Sequence, residues 1–188
     1  MLKIYLIISV ASLLLFTSCS EKQERHDIIV PVPKAEVKKG PQQMKPIKQE
    51  RDVTWLGKEY SVFVLRSVDK NLPLVKDENG QEYYDNTIEV NVRRADGTDA
   101  FRRKFTKQNF SSCAGSSNVA KEGGLLGIVF DRVEGDNLVF AVSVGSPDVQ
   151  SDAFVPLVMK IDRTGNFSMS LDTQIDSNAG DEYEEDGV

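Results

Sequence analysis

The run Ile88-Glu89-Val90-Asn91-Val92-Arg93-Arg94-Ala95-Asp96-Gly97-Thr98-Asp99-Ala100-Phe101-Arg102-Arg103-Lys104-Phe105 reads as two strands and a turn. Ile88, Val90 and Val92 alternate with Glu89, Asn91 and Arg93, the period of a strand with one apolar face. Asp96-Gly97 predicts a two-residue loop that accepts positive φ and matches the right-handed twist of the flanking strands. That loop would pair Arg94 with Asp99, Val92 with Phe101, Val90 with Arg103, Glu89 with Lys104 and Ile88 with Phe105. A slip of one residue would set Glu89 against Phe105 and Val92 against Arg102, so turn and patterning specify the same register. Arg103 alone interrupts the apolar face. Either its stem covers apolar surface at a sheet edge while the head reaches water, or it is a ligand contact, an anion anchor inside a cavity. The surrounding Arg93, Arg94, Arg102, Lys104 and Lys107 lack interleaved aromatics for stacking on bases and read as a solvated face.

Working outward, the same alternation bounded by turn residues runs from Val53 to Leu171. Val53 to Leu56 and Tyr60 to Leu65 flank a break at Gly57, and apolar residues on both faces of the second predict burial on two sides. Leu72-Pro73-Leu74-Val75 follows, then a turn at Asp77-Glu78-Asn79-Gly80 before Tyr83-Tyr84. Beyond the hairpin, Thr106 is placed to N-cap helical turns through Phe110 and Cys113, and Gly115 to Gly124 reads as a flexible loop. Four strands complete the pattern: Leu125 to Glu134, Leu138 to Val144, Phe154 to Asp162 and Phe167 to Leu171. Tight connections join the first pair and the last pair. Pro156 predicts an edge strand or a bulge. Asp77 to Gly80 and Asp162 to Asn166 faintly echo calcium loops but lack the remaining acidic ligands, so turns are expected. The fold class is mainly β, an antiparallel meander of seven or eight strands with one short helix, closed as a small barrel or packed as a sandwich.

The ends of the chain read differently. Lys3 followed by the uncharged apolar run Ile4 to Phe16 has the form of a secretory signal, too short for a span of about 20 residues. Thr17-Ser18-Cys19 has the form of a lipobox, so residues 1–18 are expected to be removed and Cys19 to be lipidated. Two or three acyl chains would hold the product on a membrane, since each buried methylene is worth roughly 0.8 kcal/mol. Ser20 then permits an outer-membrane location. Residues 19–52, with Pro31, Pro33, Pro41 and Pro46, read as a tether with a coil span of roughly 30 Å, leaving 53–171 as the β domain. Residues 172–188 carry acids only (Asp172, Asp176, Asp181, Glu182, Glu184, Glu185, Asp186) and read as a disordered acidic tail. The formal charge of −6 is concentrated there. A body without a basic excess argues against nucleic acid as a partner.

Chemistry-bearing residues are sparse. The only histidine, His26, lies in the tether, which removes His-based nucleophilic and zinc mechanisms from the domain. With Cys19 committed to lipid, Cys113 stands alone and reads as a semi-buried apolar residue. A glycosidase-type pair could be sought in Asp131 with Glu134 or Asp136, although acids are ordinary beside a turn. No catalytic residue, cofactor or metal is expected.

Several segments together carry a resemblance: Trp55-Leu56-Gly57-Lys58, Asp85-Asn86-Thr87-Ile88, Phe105-Thr106-Lys107 with Phe110, Val129 through Gly135, Val155-Pro156-Leu157-Val158, Ile161-Asp162-Arg163 and Gly165-Asn166. Over about Val53 to Leu171 the chain resembles lipoproteins of gut Bacteroidetes collected as a domain of unknown function, number 4738. The resemblance implies an envelope location and a β fold, and carries no activity, cofactor or site residue. The expected function is that of a membrane-anchored envelope lipoprotein, a non-catalytic binding or accessory module for an envelope protein, a glycan or a small apolar ligand. The alternative is a carboxylate-dependent hydrolase of an envelope or dietary glycan.

Overall fold

The structure, a computed structural model, describes residues 40–173. The expectations for the signal sequence, Cys19, His26 and nearly all of the acidic tail lie outside them. Among the described residues the strands are β1 (Gln42–Gln43), β2 (Ile47–Trp55), β3 (Lys58–Val68), β4 (Val75–Lys76), β5 (Glu82–Tyr84), β6 (Asn86–Arg94), β7 (Asp99–Phe105), β8 (Gly124–Glu134), β9 (Asn137–Gly145), β10 (Phe154–Ile161) and β11 (Phe167–Leu171). They form two antiparallel four-stranded sheets, β2-β3-β6-β7 and β11-β10-β9-β8, and a small sheet β1-β5-β4. The two large sheets pack as a sandwich and not as a closed barrel. Their inner faces supply one core, with Val62, Val64, Ile88, Val90, Val92 and Phe105 from the first sheet and Leu125, Leu138, Phe140, Val142, Leu157, Met159 and Ile161 from the second. Phe110 and Ala114 join that core from the helical segment after β7. Burying each large apolar side chain stabilises the fold by roughly 1.5–3 kcal/mol.

The decisive hairpin forms with its inner register as expected, from Ile88↔Phe105 to Val92↔Phe101. Its turn differs. Arg93 pairs with Asp99, the register shifts between Val92 and Arg93, Arg94 N–H donates to Thr98 C=O at 2.8 Å and Gly97 N–H donates to Arg94 C=O at 2.9 Å. The loop therefore has three residues, Ala95-Asp96-Gly97, with only Gly97 at positive φ (84°). A bulge at Ala100 compensates for the extra loop residue, so the core pairs are unaffected. Asp96 favours this turn because its Oδ1 accepts the Thr98 N–H at 2.9 Å and the Thr98 hydroxyl at 2.6 Å.

Asp77–Gln81 and Asp162–Asn166 close the same way, with Gly80 and Gly165 both at φ 82°. In each, Asp Oδ1 accepts two backbone N–H groups, from Asn79 and Gln81 in one and from Thr164 and Asn166 in the other. The calcium-like spacing thus marks turns, as expected.

Four expectations are corrected. The sheet begins at Ile47 and not at Val53, because β2 pairs with β3 without interruption from Ile47↔Arg66 to Trp55↔Lys58. Its sequence Lys48-Gln49-Glu50-Arg51-Asp52 hid it, since an edge strand needs ladder hydrogen bonds more than an apolar face. β3 is buried on one face only: Tyr60, Val62 and Val64 are inside, whereas Leu65 is 46% exposed and Phe63 lies half-buried under Arg93. Pro156 is neither at an edge nor in a bulge, because β10 pairs with β9 and β11. The β11 pairing starts at Leu157↔Leu171, so the missing N–H falls where that ladder ends, and Pro156 C=O still accepts from Asp172 N–H at 3.0 Å. The stretch expected as a flexible loop, Gly115 to Gly124, contains the short helix Asn118–Glu122, capped by Ser117, whose hydroxyl accepts from Ala120 N–H at 3.2 Å.

Candidate functional site

Asp85 and Asn86, at the entry to β6, are 4% and 0% exposed. Their side chains bracket Leu125 of the opposite sheet. Leu125 N–H donates to Asp85 Oδ1 at 2.9 Å, and Asn86 Nδ2 donates to Leu125 C=O at 2.9 Å. Two side chains thereby satisfy the backbone of β8 as a neighbouring strand would, beside a bulge in the β8–β9 ladder. The close approach depends on Gly124, where a Cβ would lie 2.8 Å from Asp85 Oδ1 and 3.1 Å from Val75 Cγ2. At Gly123 a Cβ would lie 2.2 Å from Gly145 O. These glycines, expected to mark loop mobility, instead permit tight packing.

Beside Asp85 opens a cleft of about 360 Å³. One wall is apolar, from Leu72, Leu74 and Val75; the other is built from the helical segment, including Ala114 and Ala120. The first wall is anchored by Asp69, whose N–H donates to Asp85 C=O at 2.9 Å while its Oδ2 accepts from Thr87 Oγ1 at 3.0 Å. Asp69 Oδ1 also accepts from Asn71 N–H at 3.0 Å, and these hydrogen bonds, the Asn71 N–H first, hold its carboxyl below the usual range. The second wall is anchored by Lys107, which donates to Lys121 C=O at 2.9 Å and Gly123 C=O at 2.6 Å, at the C-terminal end of the short helix. Burial pushes the Asp85 carboxyl above its ordinary value, opposed by the Asn86 and Leu125 N–H groups and by the Lys107 charge. A buried acid with a perturbed affinity for its proton, set in an apolar cleft, is the arrangement in which binding sites are built.

Two further concavities lie elsewhere. One of about 430 Å³ is lined by Asp77, Glu78, Glu122 and Ser146, where the Ser146 and Ser151 hydroxyls hydrogen-bond Glu78 and lower its proton affinity. The other is an open groove of about 890 Å³ along residues 42–47, with Arg66 donating to the carbonyls of Leu126 and Lys45. Among the described residues no group of three or more His, Cys, Asp or Glu side chains could hold a metal ion.

The residues singled out from sequence do not gather at the Asp85 cleft. Arg103 is exposed on β7, its guanidinium 4.3 Å from the Phe167 ring centroid and 5.7 Å from that of Phe105. It covers the aromatic seam between β7 and β11, the role of a stem lying on apolar surface. Asp131, Glu134 and Asp136 are all ion-paired at the surface: Asp131 with Arg132, Glu134 with Lys160 and with Arg132 at 2.9 Å, and Asp136 with Arg163 at 3.5 Å. The Lys160 and Arg132 hydrogen bonds lower the proton affinity of Glu134, the reverse of what a general acid needs. Cys113 is half-buried against the core, its Sγ 3.5 Å from Met169 C=O. Asp85 itself was visible only as part of a motif, an acid directly before a core strand; nothing in its spacing shows that both sheets close over it.

A family model described as Domain of unknown function (DUF4738) matches residues 28–169. The chain belongs to this family. The match takes in both large sheets up to Met169 in β11, and the whole Asp85 cleft, so the cleft is part of the DUF4738 domain. It also starts well before Val53, which agrees with a folded unit that includes β1 and β2. No curated protein matches the chain.

Proposed function

We propose that this DUF4738 protein is a lipid-anchored component of the bacterial envelope, held at the outer membrane through Cys19, whose sandwich binds a small apolar ligand in the Asp85 cleft without transforming it. The observation that carries the binding role is the cleft itself. Its volume of about 360 Å³ falls in the range of small-molecule pockets, and its walls are mainly apolar around one buried carboxyl. The anchor is supported by the sequence pattern around Cys19. The hydrolase reading gains no support from the turn acids, whose charges are already engaged by neighbouring cations.

Two measurements test the two halves. Cells fed a labelled fatty acid should label the wild-type protein and not Cys19→Ala, and equal labelling of both would refute the anchor. Nile red, a neutral apolar dye, should brighten in a saturable way with the unacylated full-length chain. Leu74→Asp, a charge placed on the exposed lip of the cleft, should abolish that signal. Dye binding unchanged by Leu74→Asp would refute the cleft as the binding site.

A further inference from the structure

We infer that the ligand of the Asp85 cleft is an organic cation, an apolar body ending in a primary ammonium group that pairs with the Asp85 carboxylate. This inference rests on the reading of the cleft as a binding site and adds the chemical class of what it takes. Asp85 is 4% exposed and still contributes to the cleft lining. Both of its hydrogen bonds, from Asn86 N–H at 2.8 Å and Leu125 N–H at 2.9 Å, converge on Oδ1. Oδ2 accepts no hydrogen bond among the described residues, and no cation there stands within ion-pair distance of Asp85. Oδ2 is not among the fully buried atoms that lack a partner, so it keeps access to the cleft and offers its acceptor position to whatever enters there. Desolvation of the carboxyl raises its proton affinity.

Lys107 is the obvious internal candidate for that partner. Its ammonium is instead spent on the carbonyls of Lys121 and Gly123, where it closes the end of the short helix. Lys107 lines the cleft together with Lys121 and its charge acts on Asp85, but its ammonium is held at those carbonyls, beyond ion-pair distance of the acid. A ligand ammonium entering over Leu74 would reach Oδ2 with its hydrocarbon body against Leu72, Leu74 and Ala120, burying the apolar surface while completing the charge. An anionic ligand would meet the buried carboxylate at close range, and a neutral alcohol could supply one hydrogen bond but no charge.

The test uses the unacylated full-length chain, carrying Cys19→Ala, titrated at neutral pH with hexylamine, hexanol and hexanoate by isothermal calorimetry. The amine should bind at least tenfold more tightly than the alcohol, and hexanoate more weakly than either. NOE contacts from the bound amine to the Leu74 and Ala120 methyl groups should place it in the cleft. Asp85→Asn should lower the ratio of amine to alcohol affinity at least tenfold, with the fold checked by Trp55 fluorescence. Amine and alcohol binding equally well in the parent chain would overturn the inference and leave the apolar cleft standing, a result that needs no Asp85 variant. Binding of none of the three would overturn both the inference and the reading beneath it.

Discussion

Leu56 has φ 52° and is followed by Gly57 at φ 70°, so both central residues of the β2–β3 loop are left-handed. Such a loop matches the twist of the strands but suits Asn or Gly at its first position, and an L-residue with a Cβ is penalised there by roughly 1–2 kcal/mol. Leu56 is 42% exposed, so little packing offsets that cost. Leu56→Asn should raise stability by about 1 kcal/mol, read as a higher urea midpoint at unchanged slope. Asp85 gives a prediction with a definite sign. Its folded-state proton affinity is raised, so the native state holds a proton that the unfolded state has released between the unfolded value and the raised one. Stability contributed by this group therefore falls as pH rises through that window and is constant above it. Asp85→Asn removes that slope, so its stability relative to wild type should improve from pH 3 to pH 7. A relative stability that is flat or declines over this range would contradict the assignment. Gly124→Ala should be destabilising by about 1–3 kcal/mol, because the added methyl meets Asp85 Oδ1 and Val75.

At the scale of elements, three loops share one construction: a first residue whose C=O accepts from a glycine three places on and whose N–H donates to the residue after that glycine. The glycines Gly80, Gly97 and Gly165 have φ of 82–84°. Gly97→Ala should cost about 1 kcal/mol and, because the bulge at Ala100 takes up local strain, should leave the Val92↔Phe101 pairing intact. Loss of cross-strand NOEs between Val92 and Phe101 in that variant would show that turn and register are coupled after all. The hairpin also shows how far turn chemistry can be read. Asp-Gly marks a turn, but whether Asp96 enters positive φ depends on the alternative its carboxylate is offered, and here Thr98 supplies two donors. The expected loop was one residue too short, the bulge restored the count, and the apolar face fixed the same core pairs either way.

At the scale of the whole molecule, the sheets are tied at their corners as well as through the core. Trp55 Nε1–H donates to Asp136 C=O at 3.2 Å, Phe130 N–H donates to Gln49 Oε1 at 2.9 Å, and Phe105 packs edge-on against Phe167 at 5.4 Å. Trp55 is the only tryptophan and is 4% exposed, so its emission should red-shift in the same denaturant transition that far-UV circular dichroism reports. Trp55→Phe should lower stability by about 1–3 kcal/mol, since the Asp136 carbonyl loses its donor and ring volume is lost. Two separated transitions would mean that the sheets do not unfold as one cooperative unit.

Strand identity from Tyr60 onward, the turn positions and the inner register of the Ile88 to Phe105 hairpin were legible in the sequence, because period two and glycine placement are local properties of neighbouring residues. β2 was not, since an edge strand made of Lys48, Gln49, Glu50 and Arg51 is held by the ladder to β3 and carries little apolar signal. The sandwich was likewise undecided, because the same alternation serves a barrel equally well. Only the tertiary structure brought Asp85, at the entry to one sheet, against Gly124 and Leu125 on the other, with Leu74 and Ala120 walling the space beside it. The burial of a carboxylate depends on what closes over it from distant parts of the chain, and residue spacing along one strand holds no record of that.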